Sequence, residues 1–292
     1  MVKKLQKLPA GLFLVPMILS MIVYTIAPDL MMTGGMVQSL FSGEGVGFIV
    51  AALTFYSGTN LNFKRLVRIL KRHGIILVVK AVVSIAISIL YIRLFGPSGI
   101  LGMSALAFTV AISSVNPAVY MSTVEDYGTE DDAAAYGLTG LLSIPLIPLI
   151  VGIILGNIDT DFAKVFTPGI GAILPLLGWN LGQGMNLVVA LQSGVSGLLL
   201  TVIFLIINSY LFVFDNKVLK NDGVAGLALL NVAGVSTSTP AVIGTLFPAM
   251  AASYVSSATS QVMLVCVITS ILTPIITQWH YKRYYGEKAL NN

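Results

Sequence analysis

Neither residues 165–214 nor residues 223–281 contain a single Asp, Glu, Lys or Arg. About 20 apolar residues in a helix cover the roughly 30 Å of hydrocarbon in a bilayer, so each run is long enough for two crossings. Lipid offers no water to satisfy a backbone N–H or C=O, and an apolar run without strict polar alternation meets that demand as helix. The rest of the chain agrees: 56% of its 292 residues are hydrophobic, 10% are charged and the mean hydropathy is +0.92, against about 25% charged in an average soluble domain. The sequence therefore predicts an all-α polytopic membrane bundle, 1–292 as one domain in a lipid bilayer. Spans are expected near 9–28, 45–62, 74–95, 98–124, 133–157, 168–187, 192–214, 223–250 and 253–279. Lys3, Lys4 and Lys7 precede a segment too long for the apolar core of a signal peptide, so it reads as a span. A single cysteine, Cys266, leaves no intrachain disulfide.

One signature occurs twice within those runs. Ser113-Ser114-Val115-Asn116-Pro117-Ala118-Val119 and Ser236-Thr237-Ser238-Thr239-Pro240-Ala241-Val242 stand 123 residues apart. Proline removes a backbone donor and clashes with the preceding turn, so Pro117 and Pro240 are expected to break their helices. Broken helices near the bilayer midplane are how many secondary transporters hold a solute. The amides opened at the start of each half-helix favour an anion. Ser113, Ser114, Asn116, Ser236, Thr237, Ser238 and Thr239 add groups for hydroxyls or for a cation. The simpler alternative is a kink whose hydroxyls satisfy their own backbone; two boxes at matched positions favour a substrate site.

The repetition reaches further. Gly58-Thr59-Asn60-Leu61-Asn62 echoes Gly182-Gln183-Gly184-Met185-Asn186-Leu187 at an offset of 124, and the 13-residue step from Pro16 to Asp29 recurs from Pro148 to Asp161. Repeat one is thus expected at about 9–144 and repeat two at about 145–279. Segment 133–157 then looks like two spans fused into one, giving nine crossings where a duplicated five-helix unit gives ten. With a cytoplasmic N-terminus, Lys3, Lys4, Lys7, Lys64, Arg65, Arg68, Lys71 and Arg72 fall inside, as the positive-inside rule requires. Lys217, Lys220, Lys282, Arg283 and Lys288 do so only for an even count. Either one segment between 133 and 187 is re-entrant or the chain is a shortened variant.

Lys80 is the one ionisable side chain deep in a span. A lysine at a helix centre costs about 2.5–3.5 kcal/mol and faces a partner or a cavity; it is expected to meet a substrate carboxylate, the alternative being a side chain that snorkels toward Arg72. All twelve acidic residues fall at or beyond span ends, so no intramembrane carboxylate is expected to carry protons. His73 and His280, also at span ends, are expected to pair with nothing and to bind no metal. Asn60, Asn62, Asn186 and Asn231 are secondary candidates, with polar helix packing as the alternative. Trp179, Trp279, Tyr281, Tyr284 and Tyr285 read as interfacial anchors.

Enzyme signatures are absent: there is no HExxH, no P-loop and no nucleophile with a base, and no cofactor is expected. The net charge of +4 flanks the spans and reads as topology, not nucleic-acid affinity. Asn116-Pro117-Ala118 spells the box of aquaporin-type channels, but the second box has Thr239 in place of Asn and neither is followed by arginine. A passive channel is the lesser alternative.

Several segments in order carry a family resemblance: Lys7-Leu8-Pro9-Ala10-Gly11 with Leu14-Val15-Pro16, Val78-Val79-Lys80, Tyr127-Gly128-Thr129-Glu130-Asp131, Gly156-Asn157-Ile158-Asp159, Thr239-Pro240-Ala241-Val242 and Thr269-Ser270-Ile271-Leu272-Thr273-Pro274. On these the chain resembles the 2-keto-3-deoxygluconate permease family of bacterial inner-membrane transporters, related in architecture to the bile acid and sodium symporter superfamily. The resemblance implies uptake of a sugar-acid anion coupled to protons through a ten-helix inverted repeat whose broken helices four and nine cross at the site, with Lys80 matching the family's lysine. This chain is shorter by about one helix, and Ser113 and Leu142 stand where the family carries acidic residues. That departure keeps open a sodium-coupled organic-anion carrier, since hydroxyls and carbonyls suit Na⁺, and a non-transporting relic.

Overall fold

The computed structural model describes residues 8–61, 63–139, 146–159 and 161–286; Asn62 and Leu142 lie outside them. Helix α1 (Gly11–Ile26) is followed by a short α2 (Gly35–Phe41), bent by 65° against the segment containing α3 (Val46–Thr59). α4 (Phe63–Ile69) continues through a π turn (Leu70–Gly74) into α5 (Ile75–Phe95). α6 (Ala105–Ser113) and α7 (Pro117–Tyr127) are two halves of one rod. Then come α8 (Glu130–Ala134), α9 (Tyr136–Thr139), α10 (Leu146–Ile158) and α11 (Asp161–Gly182). α12 (Leu187–Leu191), α13 (Gly194–Asn208) and α14 (Tyr210–Val213) lead to a second π turn (Phe214–Val218). The second interrupted rod consists of α15 (Val224–Ala228), a 3₁₀ turn (Gly234–Thr237) and α16 (Thr239–Leu246). α17 (Pro248–Ala251) precedes the long α18 (Val255–Tyr285).

Among the described residues four helical segments, 66–95, 105–127, 194–218 and 252–285, are each long and apolar enough to cross a membrane, and the bent pair at 35–59 makes a fifth. Residues 11–26, 147–158 and 169–182 form shorter apolar helices. The sidedness of α5 shows why such a sequence suits lipid. Ile76, Lys80, Ser84 and Ser88, spaced four apart, are buried, while Val78, Val82, Ile85 and Ile89 are exposed. The polar stripe faces protein and the apolar one faces outward, the reverse of a soluble amphipathic helix.

α1, α3, α10 and α11 form one packed unit held by small residues. A Cβ on Gly58 would lie 2.6 Å from Leu149 O and against Gly152 and Ile153; one on Gly182 would lie 2.4 Å from Met17 O and against Ser20 and Met21. The two sets of neighbours have the same i, i+3, i+4 spacing, so α3 meets α10 as α11 meets α1. Close approach of this kind is how helices associate where no hydrophobic force drives them together. Phe55 faces Gly152 and Thr59 faces Gly156, so α3 and α10 run parallel; Phe13 faces Gly178 and Thr25 Oγ1 accepts from Leu187 N, so α1 and α11 run parallel too.

Among the described residues, segment 133–157 is not one continuous helix: α9 ends at Thr139 and α10 begins at Leu146. Asp131 and Asp132 pair with Arg68 and Arg72 at one face of the molecule, and Ser57 Oγ donates to Ala134 O. Tyr136 and Leu138 are buried, and Leu138 and Leu149 belong to one apolar cluster. Asn157 Nδ2 donates to Leu61 O just beyond α3. The described ends at residues 8 and 286 then share that face, which carries Arg68, Lys71, Lys164, Lys217, Lys282 and Arg283.

Asp132 and Asp215 are fully buried around Arg72 at this face. One expectation is corrected here: His73 and His280 are not solitary. His73 Nε2 lies 3.3 Å from Asp132 Oδ1, and His280 bonds the Asp222 carbonyl and packs edge-on against Phe212. Residues far apart in sequence meet here because α8, the two π turns and the end of α18 come together on one surface.

Candidate functional site

The first break is built locally. Proline fits the first position of a helix because its missing N–H has no partner there in any case, and the residue before it is held extended. Asn116, extended, caps α7 by accepting from Ala118 N and Val119 N, and Pro117 stands at its start. The N-terminal amides of α7 are therefore already engaged by Asn116, which leaves less of the helix end for a solute than the sequence suggests.

The second break opens ahead of Pro240, at Leu229–Ala233, and Pro240 lies in the first turn of α16. Its cause is tertiary. Thr269 on α18 accepts from Val232 N and Thr273 donates to Leu230 O, holding this stretch extended. The two breaks meet directly. Asn231 Oδ1 accepts from Asn116 N, Ser114 Oγ accepts from Ala233 N at 2.8 Å, and Ser114 Oγ and Ser236 Oγ are 2.8 Å apart. Polar groups freed by each interruption are matched by the other, as burial away from water demands.

Lys80 reaches this crossing from α5. It is 3% exposed, and its Nζ donates to Asn208 Oδ1 at 2.8 Å and to Ile112 O at 3.2 Å, with the Phe204 ring centroid 5.8 Å away. No carboxylate among the described residues pairs with it, and it does not snorkel toward Arg72. Ser84 Oγ shares the Ile112 carbonyl, one of those released where α6 ends. Asn208 was missed from the sequence. The available signal was an Asn at the end of an otherwise apolar run, 194–208, in the second half.

A cavity of about 790 Å³ opens at Lys80, lined by Ser113, Ser114, Val115 and Ser236 and by Leu138 and Thr139 of α9. A second, of about 370 Å³, lies across the paired breaks between Val46, Val50, Leu177 and Leu181 on one side and Asn116, Pro117 and Gly234 on the other. Asn116 Nδ2 is buried here without a hydrogen-bond partner. Thus Lys80, Ser113, Ser114 and Ser236 share one cavity and Asn116 faces the other. Thr237 and Ser238 turn back onto the carbonyls of Gly234 and Val235, and Thr239 lines neither cavity. Asn231 is the link between breaks; Asn186 caps α12; Asn60, donating to Tyr56 O, lies in a separate cavity beside Glu125.

Comparison with known proteins fits this arrangement. The family model described as 2-keto-3-deoxygluconate permease matches residues 2–147 and 141–286. The chain belongs to that family. 2-keto-3-deoxygluconate permease 1 of Salmonella typhimurium is 30% identical over 312 aligned positions, covering 99% of this chain and 98% of the relative. The 2-keto-3-deoxygluconate permease of an Enterobacter species is 29% identical over 96% of this chain and 93% of its own length, and one from Escherichia coli K12 is 28% identical over 96% and 94%. An alignment of 312 positions on a chain of 292 residues leaves about a helix's length in the relative without counterpart here. No solved structure matches. Permeases move solutes across membranes and are not enzymes.

Proposed function

We propose that the chain imports 2-keto-3-deoxygluconate, or a sugar-acid anion closely similar to it, together with a proton across the bacterial inner membrane. The observation that carries this reading is Lys80: a buried ammonium with neutral partners only, opening on a cavity lined by serine hydroxyls. A buried cation held by dipoles alone favours an anionic guest strongly, because the pair forms where water screens little. Ser113, Ser114 and Ser236 then take the hydroxyls, and Asn116 Nδ2 offers a donor from the second cavity.

The matched contacts of Gly58 and Gly182 support an inverted relation between the halves. α1 leaves the Arg72 face and α3 returns to it, whereas α10 runs toward that face and α11 away from it, so corresponding helices run in opposite directions. The lysines and arginines collected on the Arg72 face make it cytoplasmic by the positive-inside rule, with the N-terminus inside. In proteoliposomes, labelled solute should accumulate under an inward pH gradient in sodium-free buffer. Accumulation that needs sodium, or equilibration without accumulation, would replace this reading with the sodium-coupled carrier or the channel.

A further inference from the structure

We infer that His73 and Asp132 form the proton-binding site of this transporter, and that Arg72 and Asp215 relay its state to Lys80; the inference rests on the proton-coupled reading above. Asp132 and Asp215 are fully buried, Asp222 nearly so, and a single guanidinium, Arg72, lies 2.9, 3.4 and 3.7 Å from the three. Gathering three carboxylates around one cation away from water is costly without further positive charge.

Among the described residues the neighbouring groups do not supply it. Arg68 is taken by Asp131 at 2.8 Å on the surface, Tyr120 and Tyr285 donate neutral hydroxyls to the Asp132 carbonyl and to Asp222, and His280 bonds the Asp222 carbonyl. Asp215 receives Asn221 Nδ2 and Gly226 N. Asp132 Oδ2 receives Thr129 N and Thr129 Oγ1, so Oδ1 is left to face Arg72 and His73.

His73 Nε2 and Asp132 Oδ1 stand 3.3 Å apart with no hydrogen bond made by either atom. A proton added to either one converts this contact into a charge-assisted hydrogen bond. Burial already pushes the Asp132 carboxyl above its ordinary range despite Arg72 and Thr129.

The pair also sits where a local change reaches the solute site. One rod carries Arg72 and His73 and, two turns on, Lys80; the other carries Asn208 and, two turns on, Asp215. The rods are therefore tied at two levels about 10 Å apart along their axes: Lys80 to Asn208 in the core and Arg72 to Asp215 at the face. Both members of the face level, Arg72 and Asp215, lie in π turns, Leu70–Gly74 and Phe214–Val218, an insertion that recurs at functional sites. Protonating the pair weakens Arg72's hold on Asp132 and shifts it toward Asp215, altering how the rods sit against each other and so the geometry of the Lys80 bond.

The test uses the full chain in proteoliposomes with labelled 2-keto-3-deoxygluconate. His73→Gln and Asp132→Asn should keep solute counterflow within about threefold of the unaltered protein. Both should lose pH-gradient-driven accumulation at least tenfold, along with solute-induced alkalinisation. Normal accumulation and proton movement in both variants overturns the assignment, as does joint loss of counterflow and accumulation in variants that still fold in detergent. Counterflow without proton movement in the unaltered protein would instead defeat the coupling reading on which the assignment rests.

Discussion

Lys80→Met removes the ammonium at the crossing while keeping an unbranched side chain of similar length. A hydrogen bond to a charged group contributes about 1.5–3 kcal/mol, and a unit charge pair at 4 Å about 4 kcal/mol at an effective dielectric of 20. Loss of the solute carboxylate's partner should therefore cost about 3–4 kcal/mol, or roughly 10²–10³ in uptake at limiting solute. Stability should respond differently. The substitution abolishes the desolvation cost of a buried charge but leaves Asn208 Oδ1 without its donor, a penalty of about 1–3 kcal/mol, while Asn208 Nδ2 keeps Phe204 O at 3.1 Å. These oppose one another, so thermal stability in detergent should change little. Adding Asn208→Leu removes the orphaned carbonyl and should raise stability above that of the single variant. Uptake of labelled solute by cells without their own permease, normalised to protein in the membrane, should stay low in both. Unchanged uptake in Lys80→Met, or uptake restored by the second substitution, would refute the role given to the lysine.

Ser114→Ala strips the acceptor from Ala233 N and the link to Ser236, and should cost about 1–3 kcal/mol, read as a lower midpoint of thermal unfolding in detergent. Gly152→Leu should destabilise by the order of 3 kcal/mol, since a Cβ there lies 2.4 Å from Phe55 O. Gly47→Ala, with nothing within 4 Å of its Cβ, should be neutral or slightly stabilising in the same assay. Because Cys266 is fully buried, single cysteines report cleanly on sidedness. Lys164→Cys and Lys217→Cys should react with an impermeant thiol reagent from the cytoplasm and Asp29→Cys from outside; labelling of Asp29→Cys and Lys217→Cys from one side would overturn the even count.

Helix content and the first break were legible because their causes are local. Lipid leaves an apolar run little choice but helix, and Asn116-Pro117 carries both the cap and the missing donor in adjacent residues. The second break was misplaced because Pro240 satisfies a helix's first turn, while the interruption at Leu229–Ala233 is imposed by Thr269 and Thr273 some 40 residues downstream. Asn208 escaped notice for the same reason: its importance lies in Lys80, on another rod. The ionic cluster was invisible because Asp132, Asp215 and Asp222 each look like an ordinary solvated end of a span. The first of them reaches Arg72 from α8, which is tied to α3 by Ser57 Oγ donating to the Ala134 carbonyl, a contact that no periodicity announces.

The way the breaks are satisfied also limits what can move. Since Asn231 serves Asn116, and Ser114 serves Ala233, separating the two interrupted rods would strand buried backbone groups at about 1–3 kcal/mol each. α18 adds to that cost, because Thr269 and Thr273 hold the second break as well. The crossing and its Lys80 rod therefore behave as one body. Against it, the unit of α1, α3, α10 and α11 presents Val46, Val50, Leu177 and Leu181 across a partly empty apolar cavity, and the polar ties from this unit to α7 and α8, Ala10 N to Asp126 and Ser57 Oγ to the Ala134 carbonyl, lie near the Arg72 face. This is the softer boundary, and on the proposed reading a solute at the crossing is exposed to alternate faces with least cost by rocking the four-helix unit past a crossing that stays intact.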